Sequence, residues 1–377
     1  MLGSFIYTIA QSSDYLKERT FKKSYIYTKW ITNLEFKEYS FTTIPSVSFY
    51  EKLLIVVSTN GQIYFVNKKN GAIVNKIKLP YNLSCGVAID SPNNQMYTCS
   101  QTGEIISISL NKPHQILWVR DINAEVIIKP TVSSKLVHVK TQDGTVYSLS
   151  ILDGEIVWSF NKNVPKLSLT GGSPLLLSSP YLFYPTDSGK VAILSVENGK
   201  LLFEYSLANK NNSSDLENIS DIDYDIAIYN DQLIAMTFHD QIASFSLTKG
   251  AKVWSSSIDS WSSSFLLNNA IIAVADSGSV YSISLSDGLV LWKSNLPLHT
   301  SISQVVANNQ VVILSDPIGK MHVYETSSGI YLDSFILHSK QYTIKKFNIF
   351  IDPVDSSNLF LYSLNGRLIR IILDYKK

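Results

Sequence analysis

Gly144-Thr-Val-Tyr-Ser-Leu-Ser-Ile-Leu-Asp-Gly154-Glu-Ile-Val-Trp158 and Gly278-Ser-Val-Tyr-Ser-Ile-Ser-Leu-Ser-Asp-Gly288-Leu-Val-Leu-Trp292 are two copies of one pattern, with both glycines and the tryptophan at the same spacing. After the first glycine, Val146, Ser148 and Ser150 alternate with Tyr147, Leu149 and Ile151, which is the period of a strand. Leu152-Asp153-Gly154 is turn chemistry, because Gly accepts a positive φ and Asp can bond its own backbone. Each unit therefore predicts a β-hairpin, with a tryptophan late in its second strand placed to fill the gap between adjacent sheets.

Working outward, weaker copies start at Gly61, Gly189, Asp240 and Gly319, a longer one without a second glycine at Gly103, and a half copy at Gly366. The eight starts are separated by 42, 41, 45, 51, 38, 41 and 47 residues. Such lengths suit four short strands per unit, the blade of a β-propeller. Upstream runs such as Ala270–Val274 and Asn309–Ile313 supply further strands. The last unit lacks its outer strand, whereas Tyr25–Trp30 carries a tryptophan with no glycine-led strand before it. The two fragments complete each other. An all-β, eight-bladed propeller follows, with four antiparallel strands per blade and the N-terminal strand closing the ring against the last blade, which removes exposed edges. Residues 25–377 form one propeller domain, and 1–24 an N-terminal arm.

Composition agrees. Hydrophobic residues are 45% and charged residues 17%, against about 25% charged in typical chains, so a large core is available. A net charge of +1 argues against a partner bound through nucleic-acid phosphates. No run reaches the roughly 18 to 20 apolar residues of a membrane-spanning helix. Met1–Ala10 has a short apolar run and small residues without a preceding basic segment; the remnant of a targeting signal and an ordinary arm both fit it. Cys85 and Cys99 flank the Ser91–Asn94 turn, and simple pairing about that turn sets Cys85 opposite Ser100. Two buried free thiols are the expectation.

The pattern Gly-x-Val-x-x-Leu…Asp-Gly-x-x-x-Trp resembles the quinoprotein-type propeller repeat, shared by quinone-dependent dehydrogenases and by non-enzymatic proteins. Two further segments, Val164-Pro-Lys-Leu167-Ser-Leu169-Thr-Gly171 and Ile219-Ser-Asp221-Ile-Asp223, resemble characteristic segments of the BamB family of bacterial outer-membrane protein assembly factors. The resemblance covers essentially the whole chain. It implies a non-catalytic scaffold without a cofactor, located in the periplasm at the outer membrane and peripheral to it. Its implied partners are the periplasmic domains of BamA, the barrel-inserting subunit, and unfolded outer-membrane proteins. By position, Leu167, Leu169, Asp221 and Asp223 match the partner-binding residues of that family, while Thr170 stands where the family has arginine. The family's lipidated N-terminal cysteine has no counterpart before Cys85.

Spacing alone also marks these segments. The separations of 45 and 51 exceed the usual 41 or 42, and the extra residues follow Trp158 and Phe203. Both insertions fall in outer-to-inner connections, which in antiparallel blades emerge on one face, so apolar anchors and carboxylates would lie side by side. The bland alternatives are that Leu167 and Leu169 begin an inner strand, and that the aspartates sit in a solvated loop.

Enzymatic readings lack motifs. Asp221, Asp223 and Asp225 alternate as calcium ligands can, but Ile226 and Gln232 stand where an EF-hand loop needs Gly and Glu. HExxH, GxxxxGK[ST] and GxSxG are absent. The six histidines are scattered, each expected at the surface or satisfied within a strand. The adjacent cysteines expected of a quinone-dependent dehydrogenase are missing. A propeller scaffold for some other complex is the remaining alternative.

Overall fold

The computed structural model describes residues 19–20, 24–35, 46–161, 173–186, 189–206, 226–236, 241–257, 261–275, 277–297, 302–336 and 347–375. These form eight antiparallel sheets and no helix. In chain order the blades are residues 47–78, 88–121, 131–161, 176–206, 227–257, 261–295, 304–336 and, last, 347–375 with Ser24–Asn33. Blades 1 to 7 each run inner, second, third and outer strand in sequence. In blade 8 the outer place is taken by Ser24–Asn33, paired antiparallel to Arg367–Tyr375, with Arg19–Thr20 added beyond it.

Closure is chemical as well as topological. Across the seam between blades 8 and 1, Lys68 Nζ meets Asp352 at 3.2 Å, and Arg370 donates to the Lys68 and Lys69 carbonyls at 3.2 and 2.9 Å. The core is divided likewise into eight apolar clusters, each bridging two consecutive blades.

This wedge packing changes the meaning of the strand alternation. Second and third strands are covered on both faces by neighbouring blades, so Ala270–Ala275 is buried throughout and Ser148 is as buried as Leu149. Only outer strands keep one wet side, as in Leu201–Ser206.

The buried serines have a purpose. Ser107, Ser148, Ser244 and Ser282 lie directly opposite Trp118, Trp158, Trp254 and Trp292 on the outer strands. A small residue there leaves room for the indole to lie over the sheet and reach the next blade. Trp118 Nε1 donates to the Ile151 carbonyl at 3.0 Å, and the ring covers Gly154, whose φ is +72°. A methyl group on that glycine would come within 2.5 Å of the ring, so both the turn and the stacking demand glycine.

The cysteines depart from expectation: Cys85 and Cys99 form a disulfide, with Cα atoms 5.3 Å apart. The ladder from Ala88↔Tyr97 does not continue in register, because the chain bends at Cys85 and the next bridge is Leu83↔Ser100. That shift brings Cys85 to Cys99 and away from Ser100.

Candidate inter-blade site at blades 4 to 6

The five residues singled out for partner binding, Leu167, Leu169, Thr170, Asp221 and Asp223, lie outside the described residues, as does Asp225. Their flanks are described. The first segment leaves the outer strand Ile156–Asn161 of blade 3 and rejoins the chain at Ser173, just before the inner strand Leu176–Ser178. The second leaves the outer strand Leu201–Ser206 and rejoins at Ile226, just before the inner strand Ala227–Tyr229. Both are outer-to-inner connections of consecutive blades.

The rejoining residues share a cavity of about 350 Å³, lined by Pro174, Leu175 and Leu176 of blade 4, Ile226 and Ala227 of blade 5, and Phe265 of blade 6, among others. Leu175 and Ile226 are buried, while Leu176 and Phe265 are half-buried. The lining is apolar except for Ser264 and backbone. It can receive aliphatic or aromatic side chains, and among the described lining residues none is charged. The alternation that makes these residues strand formers also made them look like core, so the sequence held no separate signal for the cavity.

Elsewhere in the ring, inner strands are joined to the next blade by polar side chains. Ser48 Oγ donates to the Val87 carbonyl, Thr131 Oγ1 to the Leu175 carbonyl, and the Gln304 amide both donates to and accepts from the Ile349 backbone.

Three of the six histidines are described. His114 is exposed. His138 is fully buried, with Nδ1 against Ser148 Oγ and Nε2 3.1 Å from Ser133 Oγ, and burial lowers its pKa to about 4. His322 departs from expectation: it is buried, yet neither ring nitrogen has a hydrogen-bond partner. Burial, then Lys320, lowers its pKa against the opposing influence of Asp316. Among the described residues no group of three or more His, Cys, Asp or Glu could hold a metal ion.

Comparison with known proteins gives these features a family. Residues 59–294, well over half of the chain, match the model described as outer membrane protein assembly factor BamB. Among curated proteins of that name, the one from Moranella endobia is 22% identical over 250 residues, 66% of this chain and 64% of the relative. The Shewanella oneidensis protein is 23% identical over 241 residues, 64% of this chain and 61% of the relative. The matched segments thus span somewhat under two thirds of these relatives. The crystal structure of BamB from Moraxella catarrhalis superposes with a TM-score of 0.77, covering 92% of this chain and 99% of that one at 18% identity, a likeness of fold. An eight-bladed ring with this repeat, matched over residues 59–294, belongs to the BamB family of outer-membrane protein assembly factors.

Proposed function

We propose that the chain is a non-catalytic scaffold of the outer-membrane β-barrel assembly machinery, held to the periplasmic domains of a BamA-like subunit through the segments containing Leu167, Leu169, Thr170, Asp221 and Asp223. The observation that carries the reading is the common cavity of about 350 Å³ at the point where both segments rejoin their inner strands. An apolar recess where a leucine-bearing and a carboxylate-bearing connection rejoin their strands suits an interface with a small anchor and a polar rim. Family membership supports the assembly role. The Cys85–Cys99 disulfide supports a periplasmic location, because such bonds persist in oxidising compartments.

The test is binding of the full chain to a purified BamA periplasmic fragment. Asp221→Lys with Asp223→Lys should abolish binding while the melting temperature stays unchanged. Undiminished binding by the folded double variant would reject the site. The non-catalytic part is tested by adding quinone and calcium: dye reduction above background would refute it.

A further inference from the structure

Among the described residues, six third-to-outer turns carry a glycine at positive φ: Gly71, Gly154, Gly199, Gly250, Gly288 and Gly329. Five are covered by a tryptophan of the preceding blade. Trp30, Trp118, Trp158, Trp254 and Trp292 stack on Gly71, Gly154, Gly199, Gly288 and Gly329, and would touch a methyl group there at 2.4 to 2.6 Å. Each indole also donates to the carbonyl three residues before its glycine, at 2.8 to 3.2 Å. These pairs define what the socket accepts: a flat ring on a Cα with no side chain, and an N–H directed at a fixed carbonyl.

The sixth socket is not filled by any described residue. None lies within 4 Å of the position a Cβ would take on Gly250, and Gly250 is exposed whereas its counterparts are buried or half-buried. The corresponding carbonyl, that of Leu247, accepts no hydrogen bond from the described residues. Phe203 holds the tryptophan position on the outer strand of blade 4, but it is 62% exposed and lies opposite Ile193, where Trp118, Trp158, Trp254 and Trp292 lie opposite serine. The junction is tied further along the strand instead, where Tyr205 donates to the Ser246 carbonyl at 3.2 Å.

The residue before the glycine is Asn70, Asp153, Asn198, Asp287 or Ser328 in the filled sockets and Lys249 here, with Lys252 following. Both lysines are exposed; Lys249 lies within electrostatic reach of Asp231, while Lys252 has no ion pair among the described residues. An exposed cation beside the open aromatic socket is complementary to an aromatic residue flanked by a carboxylate.

From this we infer that the Gly250 socket is a docking site for a partner polypeptide, taking the tryptophan or similar aromatic side chain of an extended segment with an acidic residue beside it. The site does not depend on the BamA reading, since it uses none of the residues assigned to that interface. The probe is the capped hexapeptide Val-Leu-Trp-Asp-Ser-Asn, a copy of the outer strand Val290–Asn295 with Asp in place of Lys, carrying 5-fluorotryptophan for ¹⁹F NMR titration against the full chain. Binding should saturate, and should weaken at least tenfold when the peptide tryptophan is replaced by alanine. The variant Gly250→Asn places a side chain in the socket while tolerating the positive φ, and should also bind at least tenfold more weakly. Restoring Lys for Asp in the peptide, or adding salt, should reduce affinity.

Equal binding by Gly250→Asn, or no signal change at millimolar peptide, would overturn the proposal. So would a melting temperature lowered in Gly250→Asn as much as in Trp158→Ala, because the socket would then be filled internally by Phe203. Concentration-dependent dimerisation lost in Gly250→Asn would assign the socket to a second copy of this chain and overturn it equally.

Discussion

The junction between blades 3 and 4 and the junction between blades 4 and 5 are built from the same repeat and held in different ways. At the first, Trp158 covers Gly199 and donates to the Val196 carbonyl at 2.9 Å, Tyr184 donates to the Gly144 carbonyl at 2.7 Å, and Lys140 donates to the Pro185 carbonyl at 3.0 Å. Thr131 adds its bond to Leu175 at the inner ring, and His138 lies 5.8 Å from the Trp158 ring. At the second, the bond from Tyr205 to Ser246 and the packing of Tyr205 on Phe245 at 5.1 Å stand beside a purely apolar cluster, a cavity and a glycine that no described residue covers. The tryptophan staple is thus absent from three of the eight junctions, where Asn75, Phe203 and Asp333 hold its position, and closure of the ring holds the whole. The relaxed junction is the one flanked by the two long outer-to-inner connections.

The comparison breaks most readily at Trp158. Trp158→Ala empties a buried indole site and leaves the Val196 carbonyl without its donor, so denaturant unfolding should show a loss of about 3–5 kcal/mol. Phe203→Ala, at the matching position, should cost about 0.5 kcal/mol or less because its ring is largely solvated. Similar losses for the two would erase the distinction between the junctions.

Acid should act on the tighter junction next. His138 is held neutral, with its folded pKa lowered to about 4 against about 6.5 in an unfolded chain. The unfolded state therefore binds the extra proton first as pH falls. Stability from this group is complete above about pH 6.5 and drains away down to about pH 4, by about 3 kcal/mol in all. His138→Gln, which keeps hydrogen-bonding capacity toward Ser133 and Ser148, should flatten that part of the stability profile; an unchanged slope would remove His138 as its source. A smaller effect than that of His138 is expected at the looser junction, where Tyr205→Phe should cost about 1 kcal/mol through loss of the bond to Ser246. No measurable change would mean the apolar cluster alone joins blades 4 and 5.

Much of this was legible in the chain. Glycine and tryptophan spacing located the hairpins, and the orphan strand with Trp30 located the closure, because both depend on contacts between residues near in sequence or on a gap in a regular count. The apolar cavity was not legible, since Leu175, Leu176, Ile226 and Phe265 carry the same strand pattern as residues packed without a void. The disulfide was missed because a bend of the backbone before Ala88 shifts the pairing, and no residue type announces that bend.

The sequence by itself determined the number of blades, their order and the way the ring closes, for a strand-turn-strand unit is specified locally by alternation and by a turn that only glycine and its neighbours allow. It also showed Phe203 in a tryptophan's place. Tertiary structure decided what followed from that substitution: Phe203 is left exposed, and Tyr205 reaches the next blade in its stead. Packing between blades is a matter of shape among residues some forty positions apart, and only the assembled ring brings those shapes together.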